Sequence, residues 1–269
     1  MNTKTVNFST FSSIRIGPTV DVALIEDDIV PEGHVIVGSA NNLLVSPNPP
    51  PLMMLSKQYD FIRIENDRLR IGAATPGGRV VSFCKKNDIA YFEYLSKLPG
   101  TLGGMLKMNA GLKEYEIFNH LIAIRTQSGW IPKEQIDYGY RKTSINEVVF
   151  EAVFELEKGF SPERLEMFAQ MRSNQPHEPS AGSCFKNPPG DYAGRLIEAV
   201  GLKGQRQGAM AFSEVHANFL VNYGGGTYED AMALISEAQS RVREAFGIDL
   251  QCEVVSIELK FDEKMIIYP

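Results

Sequence analysis

Three stretches rich in glycine and asparagine constrain the fold of this chain more than any other feature. They span residues 38–44, 98–111 and 180–222. Glycine and asparagine accept left-handed backbone conformations and leave main-chain N–H groups free to face an anion. For the first stretch, which follows the strand-like run 34–37, a plain turn is the favoured interpretation. The second favours a loop that closely approaches a phosphate or cofactor, although helix-packing glycines remain an alternative.

The third stretch suits a polar or anionic ligand. Ser183, Lys186 and Asn187 place a hydroxyl, an ammonium and an amide close together between Gly182 and Pro188. The sequence around Ser183 lacks the G-x-S-x-G pattern of a hydrolase nucleophile, and no base lies near it in the sequence. Ser183 therefore fits a donor role better than that of an attacking nucleophile. The chain also lacks the G-x-x-x-x-G-K-[ST] pattern of a phosphate-binding P-loop.

The periodicity of apolar residues predicts an α+β protein with a strand-rich first half and a mixed second half. Around Asn66 and Asp67 the pattern predicts a hairpin. Clustered prolines at 46–52 predict an exposed loop. The predicted strands are Val20–Ile25, His34–Val37, Phe61–Glu65, Arg68–Gly72, Leu121–Arg125, Val148–Leu156 and Glu253–Leu259. The predicted helices are Arg79–Asn87, Pro162–Met171 after Ser161, and Tyr228–Phe246 with a Thr227/Asp230 capping box.

Composition excludes several classes of protein. The net charge of −6 argues against a nucleic-acid partner. Cys84, Cys184 and Cys252 are scattered without C-x-x-C spacing, so neither a disulfide framework nor a metal site is expected. No apolar run approaches the roughly 20 residues of a membrane span, and no signal peptide is evident. We expect a cytoplasmic protein without membrane association and without an obligate protein partner.

Taken together, the motifs resemble those of the UDP-N-acetylenolpyruvoylglucosamine reductase (MurB) family, in order and approximate spacing from about residue 7 to 253. Two long blocks, 99–111 and 180–222, are specific to that family. The shorter motif Tyr140–Ser144 lies between them. The segments that carry the resemblance are Pro99–Gly104, Met108–Gly111, Tyr140–Ser144, Ala181–Pro188, Gly201–Gly204 and Ser213–Asn222.

The resemblance implies a flavoprotein of peptidoglycan precursor synthesis. It implies non-covalently bound FAD, NADPH as co-substrate, and reduction of UDP-N-acetylglucosamine-enolpyruvate to UDP-N-acetylmuramate. The implied fold is an FAD-binding domain of the vanillyl-alcohol-oxidase type at 1–158, followed by a smaller α+β substrate-binding domain at 159–269. The last strand of the chain is expected to return to the FAD domain.

The resemblance also implies roles for individual residues. Ser183 matches the serine that gives a proton to C2 of the enolpyruvyl unit, Arg141 the arginine that holds its carboxylate, and Glu253 a glutamate that assists the enol intermediate. Lys186, Asn187 and Lys203 are expected to contact the UDP-sugar. The residues expected to hold FAD are Gly38, Ser39, Ala40, Asn41, Asn42, Leu43, Pro99, Gly100, Thr101, Gly103, Gly104, Asn109, Ala110 and Gly111.

Some positions depart from the family pattern. Ser39 and Ala40 replace two glycines of the first loop, and Asn41 replaces a serine. Asn174 stands where a lysine often precedes Gln-Pro. The tyrosine-bearing loop that closes over the substrate in some members is not evident, which indicates the shorter type II form. Two alternatives remain open: an FAD oxidase of the same fold, and a nucleotide-sugar binding protein that has lost its flavin.

Overall fold

The computed structural model describes residues 2–259, so residues 260–269 of the predicted second domain lie outside the described residues. The fold is α+β, as predicted, and combines short helices with several small sheets. Its helices are α1 Phe8–Phe11, α2 Gly77–Asn87, α3 Leu102–Lys107, α4 Pro162–Met171, α5 Ala193–Ala199 and α6 Tyr228–Phe246. Short 3₁₀ turns lie at Lys57–Tyr59, Glu93–Lys97 and Lys133–Gln135.

The strands are mostly short. They are β1 Thr3–Asn7, β2 Thr19–Ile25, β3 Val35–Ile36, β4 Leu43–Val45, β5 Leu52–Leu55, β6 Ile62–Glu65, β7 Arg68–Gly72, β8 Gly111–Leu112, β9 Tyr115–Glu116, β10 Leu121–Thr126, β11 Gly129–Pro132, β12 Tyr138–Gly139, β13 Lys142–Thr143, β14 Glu151–Glu155, β15 Ser180–Ser183, β16 Arg206–Gln207, β17 Met210–Phe212, β18 Phe219–Asn222 and β19 Val255–Ile257.

Two sheets form the first half of the chain. One is four-stranded with the order β1-β2-β5-β3, and the other is five-stranded and antiparallel with the order β11-β10-β14-β7-β6. The predicted hairpin is confirmed, because β6 and β7 are joined through Asn66 and Asp67, both with positive φ. Positive φ at both central residues gives the turn a twist that matches the strands it joins.

A third sheet, with the order β15-β18-β17-β16, packs with α5 and α6 in the second half. The predicted α6 is confirmed together with its capping box, in which the Thr227 and Asp230 side chains satisfy each other's main-chain N–H groups. Gly247 ends the helix at φ 68°. The apolar face of α6 repeats at intervals of three and four residues and is buried, through Ala231, Leu234, Ile235, Ala238 and Val242.

Four predicted strands are shorter than expected: His34–Val37 forms only Val35–Ile36, Phe61–Glu65 forms Ile62–Glu65, and two others each lose four residues. The run predicted as Val148–Leu156 forms a ladder only over Glu151–Glu155, because residues 148–150 are three consecutive buried residues with no alternation. Instead, the Phe150 carbonyl accepts one hydrogen bond from Ala73 N, and Phe150 N donates one to the Arg125 carbonyl. The closing strand, predicted as Glu253–Leu259, spans only Val255–Ile257 and pairs in parallel with β4.

The segment after β7 connects the five-stranded sheet to the second glycine-rich stretch. The carbonyl groups of Ala73 and Thr75 accept hydrogen bonds from Gly103 N (2.8 Å) and Leu102 N (3.0 Å). These bonds fix the start of α3. Within the described residues, no helix has the length and apolar character needed to cross a membrane.

Gly72 allows this segment to pass close to a neighbouring main chain. A Cβ atom at Gly72 would lie 2.0 Å from the Tyr59 carbonyl oxygen, whereas a Cβ at Gly78 would meet nothing within 4 Å. We therefore expect Gly72→Ala to lower the free energy of unfolding by more than about 2 kcal/mol, since the backbone must shift to make room. Gly78→Ala, in α2, should change it by no more than about 1 kcal/mol and in the stabilising direction. Urea denaturation of both variants tests this, and equal midpoints would contradict it.

Candidate active site

The three glycine-rich stretches meet around one cavity of about 190 Å³, called here the central cavity. Asn41 and Asn42 come from the first stretch, residues 98–112 supply most of one wall, and Ala181–Ser183 come from the third. A second cavity of about 180 Å³, the adjoining cavity, shares Thr101 and Gly104 with it. The predicted cofactor residues that line one or both cavities are Gly38, Ser39, Asn41, Asn42, Pro99, Gly100, Thr101, Gly103, Gly104, Ala110 and Gly111.

The first loop has the properties of an anion cradle. Within residues 2–259, none of the main-chain N–H groups of residues 38–42 donates a hydrogen bond. Partly buried N–H groups rarely stay unpaired, so their grouping here fits the diphosphate of a cofactor such as FAD. Ala40 adopts φ 53°, a left-handed conformation that costs a residue with a Cβ about 1–2 kcal/mol. Its carbonyl holds the loop in place by accepting from Ser13 N (3.1 Å).

Three predicted cofactor residues lie outside the linings of the two cavities. Ala40 and Leu43 are fully buried in the core beneath the first loop. Asn109 is also fully buried, and its side chain bonds to Glu116 (2.8 Å) and to the Gly139 carbonyl (3.2 Å). Their side chains therefore support the loops within the protein.

Arg141 and Glu253 form an ion pair at the central cavity. Arg141 occupies the tight turn between β12 and β13 at φ 55°. Its Nε donates to Glu253 Oε1 at 3.0 Å, and a second nitrogen donates to the Gly111 carbonyl at 2.9 Å. Both side chains are mostly buried, at 17% and 12% exposed. Burial raises the pKa of Glu253, while the charge and hydrogen bond of Arg141 oppose that rise.

Ser183 is positioned by an irregular strand. A shift of register separates Ser180 from Ser183 along β15, and Gly182 between them has φ 77°. The next residues are fixed by Asn218, whose main-chain and side-chain oxygens accept from Cys184 N (2.7 Å) and Phe185 N (3.0 Å). Ser183 lines the central cavity, and its hydroxyl makes no hydrogen bond to another residue of the described chain. That hydroxyl is free to bind a ligand.

The structure brings the three predicted catalytic residues together. Glu253 N donates to the carbonyl of Cys184 at 2.9 Å, so Glu253 lies across from the residue that follows Ser183. A hydroxyl, a carboxylate and a guanidinium thus line one cavity beside the two glycine-rich loops. This set can hold an anion, stabilise developing negative charge and supply a proton.

The predicted substrate residues lie outside the lining of the central cavity. The charge of Lys186 is among the influences that oppose the burial-driven rise in the pKa of Glu253. The Asn187 side chain accepts from Ala193 N (3.0 Å) at the start of α5. Lys203 pairs with Glu198 (2.9 Å) on the surface.

Several lining residues were not among the predicted site residues, including Met105, Met108, Arg172 and Gln175. Both methionines lie within or beside the second stretch, so proximity to its glycines was the signal that could have identified them. Arg172 and Gln175 follow α4 in a segment without glycine. Gln175 belongs to the Gln-Pro pair noted beside Asn174, whereas no local pattern marks Arg172. Their position depends on the tertiary fold.

Comparisons with known proteins agree with this geometry. Residues 175–257 match the family described as UDP-N-acetylenolpyruvoylglucosamine reductase, C-terminal domain. A protein of that name from Helicobacter hepaticus is 46% identical over 259 residues, covering 94% of this chain and 98% of the relative. One from Campylobacter jejuni is also 46% identical, covering 94% and 99%. The crystal structure of the MurB reductase from Thermus caldophilus superposes with a TM-score of 0.84 at 26% identity, covering 96% of this chain and all of that one.

The burial of Glu253 predicts a pH-dependent stability difference. Because its folded pKa is raised, Glu253 favours the folded state most when protonated, and that contribution is lost as pH rises through the folded pKa. Glu253→Gln cannot ionise, so its free energy of unfolding should rise relative to wild type between about pH 4 and pH 7. Urea denaturation across this range measures the difference, with Glu244→Gln, an exposed change, as the control for net charge. A relative fall would show that the ion pair with Arg141 outweighs burial.

Proposed function

Since the chain belongs to the UDP-N-acetylenolpyruvoylglucosamine reductase family, we propose that it is an FAD-dependent reductase that uses NADPH to convert UDP-N-acetylglucosamine-enolpyruvate to UDP-N-acetylmuramate. The convergence of Ser183, Arg141 and Glu253 on one cavity beside the glycine-rich loops is the observation that carries this proposal. The reaction belongs to peptidoglycan precursor synthesis in the cytoplasm, and through it to cell shape and division.

The loops support FAD as the cofactor. The unpaired N–H groups of residues 38–42 suit its diphosphate, and the adjoining and central cavities lie on the two sides of Thr101 and Gly104. Neither lining contains a histidine or cysteine among the described residues, so we propose non-covalent binding. When bound, the flavin supplies the hydride that is added to C3 of the enolpyruvyl group.

Addition of hydride at C3 leaves negative charge at C2 and on the attached carboxylate. Arg141 is proposed to hold that carboxylate, because its planar guanidinium can bond to two oxygens. The Ser183 hydroxyl is proposed to donate the proton to C2. Glu253, whose pKa is raised by burial, is proposed to assist the enol form from the segment that bonds to Cys184.

The proposed domains are 1–158 for FAD and 159–269 for the substrate. Lys186 is proposed to contact the UDP-sugar from beside Glu253. Asn187 and Lys203 must give up their bonds to Ala193 and Glu198 in order to do the same, so we expect smaller effects from changing them.

Replacing Ser183 with alanine separates the two halves of the reaction. We expect Ser183→Ala to leave reduction of the flavin by NADPH unchanged, because no proton is given to substrate in that step. Reoxidation of the reduced flavin by the enolpyruvyl nucleotide should slow by about 10²- to 10⁴-fold, the usual contribution of a proton donor. Stopped-flow absorbance measures both steps. Ser180→Ala, at the other end of β15, is the control, and equal retention of both half-reactions in Ser183→Ala would show that Ser183 is not the donor.

A further inference from the structure

Arg172 lies at the edge of the central cavity, and its positive charge is not paired with a carboxylate in the described chain. It caps the C-terminal end of α4 and lines the cavity with Arg141 and Glu253. Its Nε donates to Gln175 Oε1 at 2.9 Å, and this bond orients the guanidinium. In residues 2–259, its other N–H groups donate to no protein acceptor, and no carboxylate pairs with it.

The charges around the cavity do not balance. Arg141, Arg172 and Lys186 carry positive charge, and Glu253 is the carboxylate that all three influence. Burial lowers the pKa of Arg172, the charge of Arg141 lowers it further, and the charge of Glu253 opposes both. Two like charges in a partly buried site repel each other, and an anion bound between them would offset that repulsion. This local excess occurs in a chain whose net charge is −6.

Arg172 also lies where the central cavity meets a second depression. This outer groove has a volume of about 490 Å³ and shares Leu98, Pro99, Arg172 and Gln175 with the central cavity. It adds Lys97 and His177 to its lining, but neither Ser183 nor Glu253. A ligand that extends from Ser183 into the outer groove therefore passes Arg172. The part of the ligand beside Arg172 is then not the part that reacts at Ser183.

We propose that Arg172 binds the diphosphate group of a ligand in this site, a role that rests on the proposed function. A guanidinium with a free fork of donors matches the paired oxygens of a phosphate and retains its charge when partly buried. Arg141 has fewer free donors for this role, because its Nε and one terminal N–H already bond to Glu253 and to the Gly111 carbonyl.

Three ligands of the proposed reaction carry a diphosphate: the UDP-sugar, FAD and NADPH. The first loop already offers FAD five N–H donors at residues 38–42 that no other residue of the described chain uses. The donors of Arg172 are therefore more available to the UDP-sugar, which makes it the favoured source.

The test uses FAD-loaded Arg172→Gln and Arg172→Lys, with Arg243→Gln as the control. Arg243 is a surface arginine whose side chain is 73% exposed, so its loss changes the net charge equally without touching the site. Calorimetry with UDP measures the affinity for a diphosphate that has no enolpyruvyl carboxylate, and flavin fluorescence measures release of FAD. We expect Arg172→Gln to weaken UDP about 10- to 100-fold, as for loss of a charge-assisted hydrogen bond, and Arg172→Lys to weaken it less.

The outcomes separate the sources. Loss of UDP affinity, with FAD retained and the rate of flavin reduction by NADPH unchanged, identifies the substrate diphosphate. Loss of FAD affinity with UDP retained identifies the diphosphate of FAD, and a slower reduction by NADPH with UDP and FAD affinity retained would overturn the assignment to the UDP-sugar. The proposal is overturned if folded Arg172→Gln binds both ligands like Arg243→Gln. It is also overturned if only the KM for the enolpyruvyl substrate rises, because Arg172 would then act on the carboxylate. Neither binding measurement needs turnover, so failure of wild type to reduce the substrate would count against the proposed reaction alone.

Discussion

The main-chain hydrogen bonds of residues 251–257 hold the site together. This segment bonds to both sides of the central cavity: Lys186 N donates to the Gln251 carbonyl (2.8 Å), and Val255 N donates to the Asn42 carbonyl (2.9 Å). The Asn42 side chain returns a bond to the Glu253 carbonyl (2.8 Å). This one segment bonds both to the first loop and to the residues that follow Ser183. It therefore fixes the placement of Glu253 relative to the loop and to Ser183. The first glycine-rich loop and the residues that follow Ser183 are thus linked by bonds that need no particular side chain except Asn42.

Around that framework, local charge matters more than global charge. The substrate and both cofactors of the proposed reaction are anions, yet the chain is acidic overall. Two arginines nevertheless line the central cavity, where Arg141 and Arg172 are partly shielded from water. A guanidinium in such a place attracts an anion more strongly than one on the surface, because the effective dielectric constant is lower. Glu253 moderates this field and carries a burial cost that its pairing with Arg141 only partly offsets.

Local sequence patterns predicted those elements that depend on their own residues. The capping box at Thr227 and Asp230 set the start of α6, and the residues Asn66 and Asp67 set a hairpin turn, because both signals act over a few positions. Strand ends were less predictable, since the extent of β19 depends on how far β4 runs beside it. The predicted catalytic residues came from family motifs, and the structure places all three at one cavity. Arg172 was not predictable, because its role arises from groups brought near it by folding.

The proposed reaction is tested most directly by the visible spectrum of the purified wild-type protein under anaerobic conditions. The flavin absorption band should be present in the isolated protein, disappear on addition of NADPH, and return when UDP-N-acetylglucosamine-enolpyruvate is added. UDP-N-acetylmuramate should form in an amount equal to the flavin reoxidised. A protein without the band, or a reduced flavin that the enolpyruvyl nucleotide leaves reduced, would contradict the proposed function.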